Sequence, residues 1–432
     1  MQYQMPKPTI SPERTGSALA HMPAIDGLRG VAILLVLFHH FSPAVSGTAF
    51  TKKLLTAAHT GWIGVDLFFV LSGFLITSIL LRTKSAPDYF LNFYARRTLR
   101  IFPIYYLTLA VVLVGIPAMM TLPGFHYVLT TFFGRLVKDL PTMIDGQSWL
   151  WLYGSNIKVA VSGERWGAVN HFWSLAVEEH FYLVWPIVVF FCSRAKLKQV
   201  CFTLILAAPI LRGILMLCGF DSVVPYVLTP TRVDSLAIGG LMATLLADKD
   251  GMQIWRPRIT MAAIGSLIVL AAIVGYHRRL DRDDFMTTFV GYTALALVSA
   301  WLVLECGRIK KNTTACKVIA NPVFASLGRY SYGIYVTHMF FAKTFDLFLP
   351  YTTLHKWSGS YAAAIFIHAA VSIAMSWGIA WVCFNLVEKP FLRLKGMFDY
   401  KKPVTTPASI PNTAGSVFRP MQTAVPQLRR AA

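Results

Sequence analysis

The sequence predicts an all-α, polytopic membrane helix bundle of about ten transmembrane helices, with both termini in the cytoplasm. Of the 432 residues, 55% are apolar and only 14% are charged, whereas a soluble domain carries about 25% charged residues. The apolar residues also form long runs, and a helix that spans the bilayer needs roughly 20 mostly apolar residues. These runs cover residues 31–38, 62–81, 103–119, 181–192, 200–218, 259–275, 286–304 and 361–384.

The positions of lysine and arginine orient the predicted helices. Five basic clusters separate the apolar runs, and placing all five in the cytoplasm satisfies the positive-inside rule. The opposite loops hold fewer cations, although the loop 277–285 carries Arg278, Arg279 and Arg282 beside three aspartates. This arrangement predicts ten spans, near residues 27–45, 61–81, 103–120, 173–192, 200–218, 233–247, 259–276, 286–304, 327–348 and 361–385.

Besides the loops that connect these spans, three regions need separate predictions: one between the third and fourth spans, and the two ends of the chain. The region 121–172 holds two apolar pieces that are short for spans and could be re-entrant or interfacial. If both crossed the bilayer, the count would become twelve. Residues 1–24 and 395–432 lack apolar periodicity, and we expect disordered tails there. The membrane domain is therefore predicted at residues 25–394.

The net charge of +20 does not indicate a protein that binds nucleic acid. The basic residues form short clusters between apolar runs, where membrane topology and contact with lipid headgroups explain them. The six cysteines show no CxxC or Cys/His spacing typical of a metal site. We therefore expect the lipid bilayer as a partner, no nucleic acid, no metal and no permanently bound cofactor.

Ionisable residues inside membrane helices are costly and are therefore functional candidates. Arg29 and His40 lie on nearly the same face of the first span, roughly 16 Å apart along the helix axis. His39 points about 80° away from Arg29, so the spacing favours His40 as a general base without excluding His39. Asp66 in the second span is expected at a similar depth, where it could fix the tautomer of the imidazole. The alternatives are structural roles for Arg29 and His40, and a helix-capping role for Asp66.

Two further clusters are candidates for binding and catalysis. Arg97 and Arg100 share one helical face at the predicted cytoplasmic mouth, and guanidinium groups are well suited to phosphate oxygens. Ordinary topology-determining charge is the alternative for these arginines. Glu178 and Glu179 lie in the outer half of a predicted span, where either could bind an acceptor hydroxyl or an imidazole, or be structural.

Two more ionisable residues lie in or directly after the last two predicted spans. His338 lies in the ninth predicted span, and its role is open between function and structure. Glu388 precedes Pro390 at the end of the tenth predicted span, and we expect it to be mainly structural.

Taken in order, these segments resemble the acyltransferase 3 family of integral-membrane O-acyltransferases. The resemblance extends from about Ala24 to Leu394 and rests on Arg29 with His40, on Gly64-Val65-Asp66-Leu67-Phe68-Phe69 with Ser72-Gly73-Phe74, on Arg97-x-x-Arg100, and on Trp173-Ser174-Leu175 with Glu178-Glu179. It implies a ten-helix domain and an acyl-coenzyme A donor. It also implies that His40 is needed for transfer and that Arg97 and Arg100 help to hold the donor.

The sequence therefore predicts an acyltransferase (EC 2.3.1.-), a multi-pass protein of a bacterial inner membrane. We expect it to transfer an acyl group from acyl-coenzyme A, with acetyl as the first candidate for that group. The acceptor would be a hydroxyl of a cell-surface or exported glycan, a lipid-linked sugar or a secondary metabolite. His40 would act as the base, with an acyl-histidine intermediate as a variant. Arg29 would line the path from the donor phosphates. A secondary transporter or flippase and a membrane glycosyltransferase are the alternatives.

Overall fold

The computed structural model describes residues 23–163, 166–309 and 313–400. Within these ranges the chain is almost entirely helical and contains no strand, which confirms the predicted all-α class. The first nine helices are α1 (Pro23–Phe41), α2 (Ala49–His59), α3 (Gly64–Thr83), α4 (Tyr89–Ala110), α5 (Ile116–Met120), α6 (Phe125–Asp145), α7 (Gln147–Trp151), α8 (Ser155–Ser162) and α9 (Phe172–Phe191). The remaining ones are α10 (Arg194–Leu217), α11 (Val223–Val227), α12 (Thr229–Leu246), α13 (Gly251–His277), α14 (Tyr292–Arg308), α15 (Thr314–Ile319), α16 (Pro322–Phe348), α17 (Tyr351–Ser358), α18 (Tyr361–Cys383) and α19 (Lys389–Arg393).

Within the described ranges, eight helical stretches are long and apolar enough to cross a membrane, as expected for a polytopic bundle. Short 3-10 or π segments extend several of them beyond single helices. The predicted spans 233–247 and 327–348 also form helices, α12 and α16, but their polar and charged residues keep them out of this set. The stretches are Pro23–Phe41, Ala49–Thr83, Tyr89–Met120, Phe172–Phe191, Arg194–Leu217, Gly251–His277, Thr287–Arg308 and Tyr361–Phe398.

The region 121–172 contributes none of these eight stretches. Its longest helix, α6, is interrupted by non-helical backbone at Phe133 and packs against the end of α16. There the Thr344 hydroxyl donates to the carbonyl of Phe132 over 2.7 Å. The short helix α7 is held on α4, because the hydroxyl of Tyr105 donates to the carbonyl of Leu150 over 2.7 Å. The region is thus packed against the bundle through short or interrupted helices.

Glycines allow two helix pairs to cross with their backbones in contact. A Cβ on Gly328 of α16 would lie 1.8 Å from the carbonyl oxygen of Asp26 in α1, and a Cβ on Gly73 of α3 would lie 2.0 Å from that of Leu236 in α12. Small residues permit such close approach between membrane helices. These two crossings set which side chains face each other: α1 faces α16, and α3 faces α12.

The packed domain extends beyond the predicted boundary at residue 394. Residues Leu394–Phe398 form a 3-10 helix, and the Arg96 guanidinium donates to the carbonyl of Phe398 over 3.2 Å and forms a salt bridge with Asp399. These contacts hold residues 394–399, most of which were predicted as tail, against α4. Pro23 and Ala24, also predicted as tail, are the first residues of α1. Residues 1–22 and 401–432 of the predicted tails lie outside the described residues.

Candidate active site

A cavity between α1, α3, α4, α9 and α16 brings together five of the predicted site residues. We call it the arginine cavity; it is lined by Arg29, Arg97, Arg100, Glu178 and Glu179, together with apolar and hydroxyl side chains. The motifs of three separate helices therefore meet at one cavity.

Hydroxyl groups hold the charged side chains of the arginine cavity in position. The Ser72 hydroxyl donates to Glu178 Oε1 over 2.6 Å, and the Tyr182 hydroxyl donates to Ser72 Oγ over 3.0 Å. The Arg97 guanidinium lies 4.3 Å from the centre of the Tyr182 ring, a cation–π distance. Arg29 Nη2 donates to Ser331 Oγ over 3.2 Å. These contacts orient the cavity walls.

Much of the hydrogen-bonding capacity of the arginines remains open to a ligand. The buried Arg97 Nε has no hydrogen-bond partner among the described residues, and no described carboxylate forms a salt bridge with Arg97 or Arg100. Three guanidinium groups face two carboxyl groups in this cavity. The arrangement favours an anion that accepts several charge-assisted hydrogen bonds, such as a phosphate.

A second cavity lies next to the arginine cavity, and we call it the histidine cavity. It is lined by His39, His40 and His171 together with Arg282 and several aromatic residues. Val65 and Tyr335 line both cavities, so these two side chains form a wall that the two spaces share. The Tyr335 hydroxyl is itself held by Ser174 Oγ at 2.6 Å.

The hydrogen bonds of His40 and His338 define the tautomer of His40. His338 Nδ1 lies 2.9 Å from the carbonyl oxygen of Tyr335, so Nδ1 carries the proton and Nε2 accepts. That Nε2 lies 3.4 Å from His40 Nδ1, which is also 2.9 Å from the carbonyl oxygen of Val36. With two acceptors beside it, His40 Nδ1 carries the proton. The lone pair of His40 is therefore on Nε2, the atom that a general base or nucleophile would use.

The other two histidines of the cavity are held differently. His39 Nδ1 donates to the carbonyl of His59 over 2.6 Å. The His39 ring is 4.9 Å from the His40 ring and lines the same cavity, so helical phasing does not separate the two side chains as expected. Burial, with a smaller effect from His40, lowers the pKa of His171 to about 3, so the His171 imidazole is neutral.

The predicted pairing of Asp66 with His40 is wrong. Asp66 is fully buried, and its Oδ1 accepts from Arg232 Nη2 over 2.7 Å and from Ser235 Oγ over 3.1 Å. Its Oδ2 has no hydrogen-bond partner among the described residues. Because α3 crosses α12 closely, the carboxylate forms an ion pair with Arg232 instead. His338 takes the place beside His40 that the sequence interpretation gave to Asp66.

Of the alternatives for the two glutamates, contact with an imidazole is not found among the described residues. Glu178 and Glu179 line the arginine cavity and not the histidine cavity. Glu178 is held by Ser72, as described above. Glu388 lines neither cavity; it is buried, and its Oε1 has no hydrogen-bond partner in the described part of the chain.

Sequence reasoning missed several residues of the two cavities. Ser72 lies in the Ser72-Gly73-Phe74 motif and Tyr182 shares a helical face with Glu178, but their contact with each other was not predicted. Tyr335 carries no charge, and the sequence did not mark it as a cavity residue. Arg282 did give a signal, because its loop departs from the charge asymmetry of the other loops. The motif residue Trp173 lines the histidine cavity beside Tyr226, with ring centres 4.7 Å apart.

The part of the chain that contains this site is similar to known acyltransferases. The family model described as "Acyltransferase domain" matches residues 22–381, which contain both cavities. The peptidoglycan O-acetyltransferase OatA of Listeria monocytogenes is 24% identical over 404 residues, which cover 88% of this chain and 57% of OatA. YrhL of Bacillus subtilis, whose name assigns it provisionally to the peptidoglycan O-acetyltransferases, is 26% identical over 399 residues, with 89% and 57% covered.

The chain thus spans 57% of the length of these two curated relatives. No solved structure matches it. The family match covers most of the chain and includes each motif on which the resemblance to acyltransferase 3 proteins rested. The resemblance is therefore confirmed, and the chain belongs to this family of membrane acyltransferases.

Proposed function

We propose that the protein is an O-acyltransferase of a bacterial inner membrane that transfers an acyl group from acyl-coenzyme A to a hydroxyl of a glycan. Acetyl is the acyl group proposed first. The observation that carries this proposal is the shared wall between a cavity rich in arginine and a cavity that contains His40. A donor with phosphates at one end and a thioester at the other matches that pair of environments.

The donor would enter the arginine cavity from the cytoplasm. Its phosphates would accept hydrogen bonds from Arg97 and Arg100, and Arg29 would line the path toward the histidine cavity. Arg96 donates to the carbonyl of Lys395 over 3.4 Å, which holds the segment after α19 beside these arginines. The thioester would pass beside Tyr335 and reach His40 in a space shielded from bulk water, which protects it from hydrolysis.

His40 would act as the general base for the acceptor hydroxyl. Its Nε2 removes the hydroxyl proton as the oxygen attacks the thioester carbon. The new C–O bond forms and the C–S bond breaks, and the proton passes from His40 to the departing thiolate, which gives free coenzyme A and the ester. His338 would be a positioning residue, because its Nε2 helps to keep the proton of His40 on Nδ1. Transfer of the acyl group to His40 before the hydroxyl attacks is a variant with the same products.

Glycan acceptors are supported by the names of the relatives, which refer to peptidoglycan O-acetylation. Proteins that share a domain can differ in acceptor, so the proposal for this chain extends to glycans as a class. A lipid-linked sugar and a secondary metabolite present the same reacting group, a hydroxyl.

The test is release of coenzyme A by the purified, detergent-solubilised protein when acetyl-coenzyme A and a glycan acceptor are supplied together. We expect free coenzyme A and acetylated acceptor in equal amounts, and neither product from the His40→Ala variant. Absence of both products with the wild-type protein would contradict the proposal and would favour a transporter or a glycosyltransferase. Formation of both products by His40→Ala would leave the activity but remove His40 from the mechanism.

A further inference from the structure

The lining of the histidine cavity carries positive charge without a compensating carboxylate in the lining. Arg282 is the only lysine or arginine among the described residues that line it, and no aspartate or glutamate lines it. Burial lowers the pKa of His171 to about 3, which disfavours a second cation at that position. A single guanidinium in a cavity whose described lining holds no carboxylate favours a ligand that carries negative charge.

The Arg282 side chain is held at this position by the loop that connects α13 to α14. Its backbone carbonyl accepts hydrogen bonds from Tyr292 OH over 2.7 Å and from Thr288 Oγ1 over 3.0 Å. Its guanidinium carbon lies 5.2 Å from the centre of the Tyr226 ring. Asp283 does not line the cavity and forms an ion pair with Arg282, with Oδ1 3.6 Å from Nε, a distance longer than an ordinary hydrogen bond. Because a guanidinium has five N–H donors, these contacts leave some of them for a ligand.

The remaining walls of the cavity suit a sugar ring. Trp62, Trp173 and Tyr226 line it, and aromatic rings offer an apolar surface for the C–H face of a pyranose. Asn170 also lines it, and its buried Oδ1 has no hydrogen-bond partner among the described residues. A buried acceptor of this kind is stabilised by a ligand hydroxyl.

We infer that the histidine cavity selects an acceptor sugar that carries an anionic group, such as a carboxylate, which binds to Arg282 while the hydroxyl to be acylated lies at His40. This inference rests on the proposed function for the identity of the reaction, and adds the charge of the acceptor. The 29% exposure of the Arg282 side chain favours recognition of the acceptor at the cavity mouth. We do not assign Arg282 to stabilisation of the oxyanion at the reacting carbon, because a group with that role would be expected in a fully desolvated position.

The test compares methyl β-D-glucuronide with methyl β-D-glucoside, two sugars that differ in one carboxylate. Equilibrium binding to the full-length protein in detergent is measured by tryptophan fluorescence and calorimetry, without any donor. We expect the wild-type protein to bind the glucuronide at least about tenfold more tightly, as one charge-assisted contact allows. Arg282→Gln should remove this difference with little effect on the glucoside, and Arg282→Lys should restore part of it.

Arg279→Gln is the matched control, because Arg279 lies in the same loop, is 67% exposed and pairs with Asp281 at 2.7 Å. It should keep the wild-type preference for the glucuronide. Equal binding of the two sugars to the wild-type protein, including no detectable binding of either, would overturn the inference. A preference that survives in Arg282→Gln would overturn it as well. If the preference appears but acetyl-coenzyme A releases no coenzyme A, the acceptor site stands and the proposed function fails.

Discussion

Replacing Asp66 tests whether this carboxylate serves the chemistry or the fold. Asp66 and Arg232 both have fully buried side chains, and Oδ1 and Nη2 are 2.7 Å apart. Arg232 Nε and Nη1 have no hydrogen-bond partners among the described residues. Without the carboxylate, the guanidinium would therefore keep mainly aromatic contacts, such as Tyr292 at 4.2 Å. Removing one partner of a buried ion pair costs about 3–5 kcal/mol, and we expect Asp66→Ala to lower the free energy of unfolding by that amount.

The assay is equilibrium unfolding in mixed micelles with increasing SDS, followed by circular dichroism. The double variant Asp66→Leu with Arg232→Met should regain most of the loss, because apolar replacements of a buried pair are often neutral or stabilising. Glu305→Ala is the control, since the partly exposed Glu305 pairs with Arg256 at 2.9 Å and such pairs contribute about 0–1 kcal/mol. Wild-type stability of Asp66→Ala together with loss of acyl transfer would refute the structural role and restore the catalytic one.

Three further substitutions address packing, catalysis and donor binding. Gly73→Ala should strongly reduce the yield of folded protein in fluorescence-detected size-exclusion chromatography, because its Cβ would lie 2.0 Å from a backbone carbonyl oxygen. Gly378→Ala is the control and should not reduce the yield, because nothing lies within 4 Å of its Cβ. Equal yields of the two variants would contradict the close crossing. His40→Ala should abolish transfer at normal membrane levels, and His39→Ala should lower it less; the reverse order would assign the base to His39. Arg97→Gln should weaken acetyl-coenzyme A binding about tenfold or more, and an equal loss with acetyl-pantetheine would exclude a phosphate contact.

The periodicity of single helices predicted which charged residues share a helical face. Arg29 and His40 both contact α16, through Ser331 at 3.2 Å and His338 at 3.4 Å. Arg97 and Arg100, three residues apart, line the same cavity. These relations follow from 3.6 residues per turn and need no knowledge of neighbouring helices.

Partners on other helices could not be predicted in the same way. Asp66 and Arg232 are 166 residues apart in sequence, and their contact depends on how closely α3 and α12 cross. Depth in the membrane, which suggested His40 as the partner of Asp66, gives a position along the helix axis but no direction around it. The roles of Glu178 and Glu179 stayed open between an acceptor hydroxyl, an imidazole and a structural role for the same reason, and their helix turns both toward the arginines.

The orientation of Arg282 is a third feature that the sequence could not predict. Its loop was recognised as an exception to the distribution of positive charge, but nothing in the sequence indicates that Arg282 turns toward His40 while Arg279 remains exposed. The difference arises from the bonds of Tyr292 and Thr288 to the Arg282 carbonyl. Such contacts form only after the helices have packed.

The most direct test of the central proposal is transfer across the membrane. Right-side-out membrane vesicles, which keep the cytoplasmic face inside, are loaded with radiolabelled acetyl-coenzyme A and supplied externally with a glycan acceptor. We expect label on the external acceptor with the wild-type protein and none with His40→Ala, because the donor enters at the arginines and the acceptor meets it at His40. Label that appears only when donor and acceptor are on the same side, or that persists in His40→Ala, would contradict a path from the arginine cavity to the histidine cavity.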